Sequence, residues 1–327
     1  MRLPVLTFSF LVLAALVPSS LAGPLWVAVG YGGRRMSSRD GLIWEHDLRW
    51  SDESRDDDNV LFDVAYGQPG KGSNGRFVAV GGGAKTGHIL WTEDGANWTE
   101  LPSVKGRVAT IAFGRDRFVA AHDGELLCSL DGEKFSAGQK LDWKGSVHAR
   151  KSAFGDGEGG GMFVVIGDVD LFEEGRRVSW RGATADGAAF ARAEHHTSEA
   201  RDIAFGAGHF VIVGPAGLIE SSHDGLTWTR HDTDPNEDFQ NVAWTGSRFI
   251  AQGKQAWAST DGLSWMVDAT LRLQGGIAWV NEGTEHLSVR GLGLSWGGSI
   301  FGSGDLREWK KLAIPPGPSF TAVAVAR

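Results

Sequence analysis

From residue 25 onward the chain alternates short apolar runs with punctuation by glycine and aspartate, and no stretch sustains the period of a long amphipathic helix. One unit recurs. It opens apolar-Ala-aromatic-Gly, continues after a short gap as basic-Phe-Val-x-Val-Gly, and closes on Ser/Thr-x-Asp-Gly-x-x-Trp/Phe. The opening pair reads Val64-Ala65-Tyr66-Gly67 with Arg76-Phe77-Val78-Ala79-Val80-Gly81. It returns as Ile111-Ala112-Phe113-Gly114 with Arg117-Phe118-Val119, and as Ile203-Ala204-Phe205-Gly206 with His209-Phe210-Val211. Val242-Ala243-Trp244 with Arg248-Phe249-Ile250 is the same unit, and Ser152-Ala153-Phe154-Gly155 with Met162-Phe163-Val164 is a looser copy. Each unit holds four strand candidates, A to D, because its runs are short, β-branched or aromatic, and bounded by turn residues. Strand B is apolar on both faces, so both must be covered.

The closing motif joins strands C and D. Its aspartates are Asp40, Asp94, Asp131, Asp186, Asp224, Asp261 and Asp305, and in the last copy Leu306 stands where the others have Gly. Gly accepts positive φ in a tight hairpin, the Asp carboxylate accepts local N–H bonds, and the Ser/Thr hydroxyl adds another. The seven aspartates therefore read as structural staples.

The two ends of the pattern match. Leu25-Trp26-Val27-Ala28-Val29-Gly30 is a strand B with no strand A before it, and Phe320-Thr321-Ala322-Val323-Ala324-Val325 is a strand A with nothing after it. The last strand is expected to complete the first unit, closing a ring and removing an exposed edge. The prediction is an all-β fold: a seven-bladed β-propeller of four-stranded antiparallel blades, about 28 strands in all, spanning residues 23–327 as one domain.

Composition sharpens this picture. The chain has 47 Gly and 14 Trp in 327 residues, as short strands with large aromatic anchors require. Its net charge of −8 is spread without a basic stripe, which argues against nucleic acid as a partner. Residues 1–22 read as a signal peptide: Arg2, an apolar run from Leu3 to Val17, then Ser20 and Ala22 at cleavage positions. That run is shorter than the roughly 20 residues a membrane-spanning helix needs. A secreted or periplasmic protein is expected, with no membrane span in the mature chain. Cys128 is the single cysteine, so no intrachain disulfide can form, and it reads as a small buried hydrophobe.

The repeated turn resembles the Asp box of bacterial neuraminidase-type repeats, in a shorter form with Asp and Gly adjacent. The resemblance covers all seven turns and implies a sialidase-like propeller. It would also imply an activity resting on three arginines, a Tyr nucleophile with a Glu base, and an Asp acid/base. Here no Arg-Ile-Pro segment precedes the first turn, and only Tyr31 and Tyr66 are available as nucleophile. Tyr66 occupies the aromatic slot of strand A.

Function is therefore sought on the face opposite the Asp-Gly turns, where the starts of the A strands ring the central funnel. These are Phe62/Asp63, Ala109/Thr110, Arg150/Lys151, Arg201/Asp202, Gln240/Asn241, Gly275/Gly276 and Thr321/Ala322. Asp63, Arg150, Lys151, Arg201, Asp202, Gln240 and Asn241 are the ligand-binding candidates; their mixed charge suits a polar or anionic ligand. Three acidic loops are expected at 51–59, 168–174 and 232–238. In the last, Asp232, Asp234, Asn236 and Asp238 offer alternate oxygens of the kind Ca²⁺ takes, without the central Gly of an EF-hand. No other cofactor is implied. His195 and His196 are adjacent on a strand and point to opposite faces, so they do not share an ion. The leading reading is an exported, non-catalytic, monomeric propeller that binds a protein, glycan or cell-surface ligand. The alternative is a glycoside hydrolase or lyase using funnel acids, such as paired Glu173 and Glu174, and a scaffold within a larger assembly is a third.

Overall fold

The computed structural model describes residues 24–53, 56–70, 72–157, 160–271, 276–279, 289–295 and 297–326. The predicted leader and Gly275 lie outside them. Seven antiparallel sheets each follow the order A-B-C-D from inside to outside. The seven inner strands are Phe320–Ala326, Leu61–Gly67, Val108–Gly114, Ser146–Gly155, Asp202–Gly206, Asn241–Trp244 and Gly276–Trp279, for blades one to seven. Each meets the next, and the seventh meets the first, so the ring is closed. The chain is a seven-bladed β-propeller.

Closure occurs as the unmatched ends require. Phe320–Ala326 pairs antiparallel with Leu25–Gly30, with Val323 opposite Ala28 and Ala324 opposite Val27. Arg34 secures this seam from a fully buried position. Its guanidinium donates to Asp47 at 2.9 and 3.0 Å and to the carbonyls of Pro315 and Pro318 at 2.7 and 3.0 Å. It also lies 4.6 Å from the ring centre of Phe320. A buried cation is tolerated only with such a full set of partners. The additional short strand Val104–Lys105 pairs with the third strand of blade two.

The repeated Ala-aromatic-Gly now has a packing explanation. The inner-strand aromatic stacks on the Phe of its neighbouring B strand in five successive blades, as in Phe113–Phe118 at 4.7 Å and Phe205–Phe210 at 4.8 Å. The following Gly faces the aromatic of the next blade. A Cβ on Gly114 would lie 2.1 Å from the Phe154 ring, and one on Gly155 would lie 2.2 Å from Phe205. Gly is therefore required for close approach between wedges. The B-strand residues Phe77, Phe118, Phe163, Phe210 and Phe249 are fully buried, each contributing about 2–3 kcal/mol relative to an exposed ring.

The Asp-Gly turns fasten the opposite ends of the blades. In the sixth, the Ser264 and Leu263 N–H groups donate to Asp261 at 2.9 and 2.8 Å, and the Gly262 N–H donates to the Ser259 hydroxyl at 2.8 Å. In the seventh, Leu306 takes the left-handed conformation of the missing Gly, at φ 64°. It recovers the strain by burial, being only 2% exposed. The turns also wedge into the preceding blade: a Cβ on Gly95 of blade two would lie 2.6 Å from Ser37 Cβ in blade one.

Two details depart from the sequence reading. Residues 168–171 form no loop: they continue the strand Met162–Leu171, leaving a single 3-10 turn at Phe172–Glu174. Cys128 is half-buried rather than buried, because its side chain faces the groove between blades three and four and its Sγ donates to the Asp186 carbonyl at 3.2 Å.

Candidate functional site at the funnel mouth

The inner strands start at the face opposite the Asp-Gly turns, and the residues just before the repeated apolar-Ala-aromatic run line the axis. Equivalent ring positions are Asp63, Thr110, Lys151, Asp202, Asn241, Gly276 and Thr321. Several lock one blade to the next. Asp63 of blade two accepts from the Thr110 hydroxyl at 2.7 Å and the Ile111 N–H at 3.2 Å, both in blade three. It also accepts from Val64 N–H at 3.0 Å. Asp202 of blade five likewise accepts from Val242 N–H of blade six at 3.0 Å and from Ile203 N–H at 2.9 Å. The Thr321 hydroxyl sits between the carbonyls of Val29 in blade one and Leu61 in blade two.

Lys151 comes from blade four, next to the blade that carries Asp202. Its Nζ is 3.7 Å from Asp63. The charge of Asp63 raises the Lys151 pKa above its ordinary value; burial opposes the shift and the charge of Asp202 adds to it. Burial pushes the Asp202 carboxyl upward, against the pull of Lys151 and its two N–H donors. Water still reaches 32% of the Lys151 side chain, so this is a wet ion cluster rather than a dry one.

Blade four makes the mouth asymmetric. Its first three strands run 10, 10 and 9 residues, against 4 to 7 for the first three strands of the other blades. The extension carries His148 opposite Asp168, and Asp170 opposite Arg177. Arg150 donates through Nε to Asp168 at 3.1 Å and also through Nη2, while the Ser179 hydroxyl reaches the other oxygen at 3.3 Å. Arg177 forks onto Asp170 at 2.6 and 3.0 Å, with His148 Nε2 at 3.3 Å from the same carboxylate. Hydrogen bonds from Arg177 hold the Asp170 carboxyl below the usual range.

His148, Arg150, Lys151, Asp168 and Arg177 line an open cavity of about 570 Å³, with Phe62, Ala109, Ala149 and Thr321 among its walls. Arg107 also lines it, stacked 5.1 Å from the centre of the Phe62 ring. Arg107 has no carboxylate within ion-pair distance among the described residues, unlike Arg150, Lys151 and Arg177.

Of the sequence candidates, Arg150 and Lys151 line this cavity, and Asp63 backs it through Lys151. Asp202 lies at the axis. Arg201 and Gln240 instead converge on Asp238 at the blade-five rim, at 2.7 and 2.9 Å. Asn241 has its own ring position and does not line the cavity. Asp234 is occupied by Asn236, and Asp232 is exposed. No group of three or more His, Cys, Asp or Glu that could hold a metal ion occurs among the described residues. Sequence reasoning missed Arg107, His148 and Arg177. Arg107 directly precedes its inner strand, two residues before the ring positions considered. His148 and Arg177 become neighbours only through the lengthened blade-four pairing. Glu173 and Glu174 lie on the 3-10 turn at the tip of that blade, and Glu174 is paired with Arg176 at 2.6 Å.

No family model and no curated protein matches this sequence. Solved structures do match in fold. YCF48 bound to D1 peptide shares 15% identity at a TM-score of 0.50, over 77% of this chain and 81% of that one. The WD40 β-propeller domain of Doa1 shares 12% at 0.51, over 80% and 85%. The computationally designed Ika8 protein shares 14% at 0.50, over 90% and 88%. Identities this low establish the propeller architecture and nothing finer. Among the described residues, no helix is long and apolar enough to cross a membrane.

Proposed function

We propose that the chain is an exported, non-catalytic propeller of the Asp-box kind, which binds a protein, glycan or cell-surface ligand at the funnel mouth. The observation that carries this reading is the cation-lined cavity under blade four, where the acids are already engaged as acceptors. Asp63 serves two backbone N–H groups, a hydroxyl and Lys151. Asp168 serves Arg150 and Ser179. A glycoside hydrolase needs one carboxylic acid free to give a proton and a second carboxylate free to act on sugar or water. Carboxylates clamped by fixed donors are poor candidates for either role. A leader read at residues 1–22 supports export. YCF48, similar in fold, was solved with a peptide bound. A peptide or protein ligand is therefore a natural class to probe first.

The test presents labelled protein to a glycan array and to an array of peptides with free C-termini, beside a panel of fluorogenic glycosides. Retention on an array without glycoside turnover is the expected result. Turnover abolished by Asp63→Asn or Asp202→Asn would establish the hydrolase reading instead.

A further inference from the structure

We propose that the funnel cavity takes a single carboxylate, that of a peptide C-terminus, and that Arg107 is the residue that binds it. The inference rests on the mouth being the ligand-binding face and goes further, by naming the ligand group and its partner.

Charge pairing selects one anion. Lys151 is answered by Asp63, Arg150 by Asp168 and Arg177 by Asp170. Among the described cations that line the cavity, only Arg107 has no carboxylate within ion-pair distance, so one negative group has one place to bind; Asp202 beside Lys151 and Glu199 3.7 Å from Arg150 add negative charge that disfavours a polyanion. Guanidinium matches a carboxylate through two parallel N–H bonds. The Phe62 face orients Arg107 from behind, at 5.1 Å, and leaves its hydrogen-bonding edge uncommitted.

The same pairing disfavours sugar hydroxyls, which both donate and accept. Asp63 and Asp168 already receive protein donors, so the free donors of Arg107 stand beside acceptors that are largely committed. The remaining walls include Phe62, Ala109 and Ala149, which are apolar. The hairpin that brings Asp168 and Arg177 to the cavity ends in a tip where Phe172 is 72% exposed. A chain end with a carboxylate and an adjacent apolar side chain meets both features.

Calorimetry on the full chain tests this with three probes: N-acetyl-phenylalanine, its C-terminal amide, and glucuronate. The acid is expected to bind, with affinity falling as salt is added, and the amide to bind about tenfold or more weakly. Arg107→Gln is expected to lose binding by a similar factor. Arg107→Lys, which keeps charge but not the fork, falls between. Arg307→Gln, on the turn face, leaves binding unchanged. Thermal unfolding of each variant confirms that the fold is retained. Equal binding of acid and amide, or an Arg107→Gln protein that binds as the parent does, overturns the proposal. Tighter, Arg107-dependent binding of glucuronate overturns it in favour of an acidic sugar. If none of the probes binds while array ligands still engage the mouth, this proposal falls and the broader reading stands; if ligands engage only the turn face, both fall.

Discussion

The two faces of the propeller handle carboxylates in opposite ways. On the turn face seven aspartates repeat one arrangement, and each spends its charge on backbone N–H groups of its own hairpin. At the funnel mouth the equivalent ring positions hold Asp, Thr, Lys, Asp, Asn, Gly and Thr, and Asp63 and Asp202 bond to the neighbouring blade as well as to their own strand. Repetition marks what every wedge needs in order to stand beside its neighbours. Departure from the repeat marks what one blade does alone, and it is concentrated in blade four and in Arg107.

The contrast predicts that damage to the repeated scaffold unfolds the protein while damage at the mouth does not. The largest effect belongs to the seam. Deleting residues 320–327 removes the inner strand of blade one and leaves Leu25–Gly30 as an open edge paired only with Arg35–Ser38, at a cost of about 5 kcal/mol or more, comparable to the whole stability of a domain. Circular dichroism should then show no cooperative melt. A cooperative melt near the parent temperature would show that the ring does not depend on that strand.

Next comes Gly114→Val, which drives a side chain into the Phe154 ring and should cost about 3 kcal/mol in denaturant titration. A loss below 0.5 kcal/mol, a surface-like value, would mean the wedges do not touch as described.

Leu306→Gly sets two effects against each other. It relieves about 1–2 kcal/mol of left-handed strain but removes a buried Leu worth about 2–4 kcal/mol, so a modest net loss is expected. A gain in stability would show that the seventh turn is held by strain that its packing does not repay.

The smallest effects come from charge. Asp261→Ala should cost about 1 kcal/mol, as for loss of a capping carboxylate. Hydrogen bonds from Ser264 and Leu263 N–H hold the Asp261 carboxyl below its ordinary value. Its contribution is therefore complete above the unfolded pKa of about 4 and fades as pH falls through the lower folded value. The raised Lys151 behaves in reverse: its contribution is complete below about pH 10.4 and fades as pH rises through the folded value. Urea midpoints measured across pH should fall at both ends. Asp261→Ala should flatten the acid limb, and Lys151→Met the alkaline one.

The scaffold was legible in the sequence because each of its requirements recurs. Ala-aromatic-Gly records a contact between wedges, Asp-Gly records a hairpin, and the spare strand at 320–326 records closure. The site was legible only in part. Arg150, Lys151 and Asp63 fell at ring positions the repeat defines. Arg107, His148 and Arg177 did not, because their roles depend on how far blade four projects and on which acids neutralise which cations. Asp168 and Asp170 looked like a loop because acidic residues are unusual in strands, yet here each faces a basic partner across the ladder or the mouth. Nothing repeated in the sequence encodes those pairings.

The division of labour between faces can be tested without disturbing either scaffold. Single cysteines placed at Phe172, on the mouth hairpin, or at Ile43, on a turn, fall at side chains 72% and 66% exposed. With Cys128→Ser as background, each can be coupled to a bulky polyethylene glycol maleimide and returned to the peptide and glycan arrays. Coupling at position 172 should abolish retention while coupling at position 43 leaves it intact. Retention lost only on coupling at position 43 would contradict the account and place the ligand on the turn face.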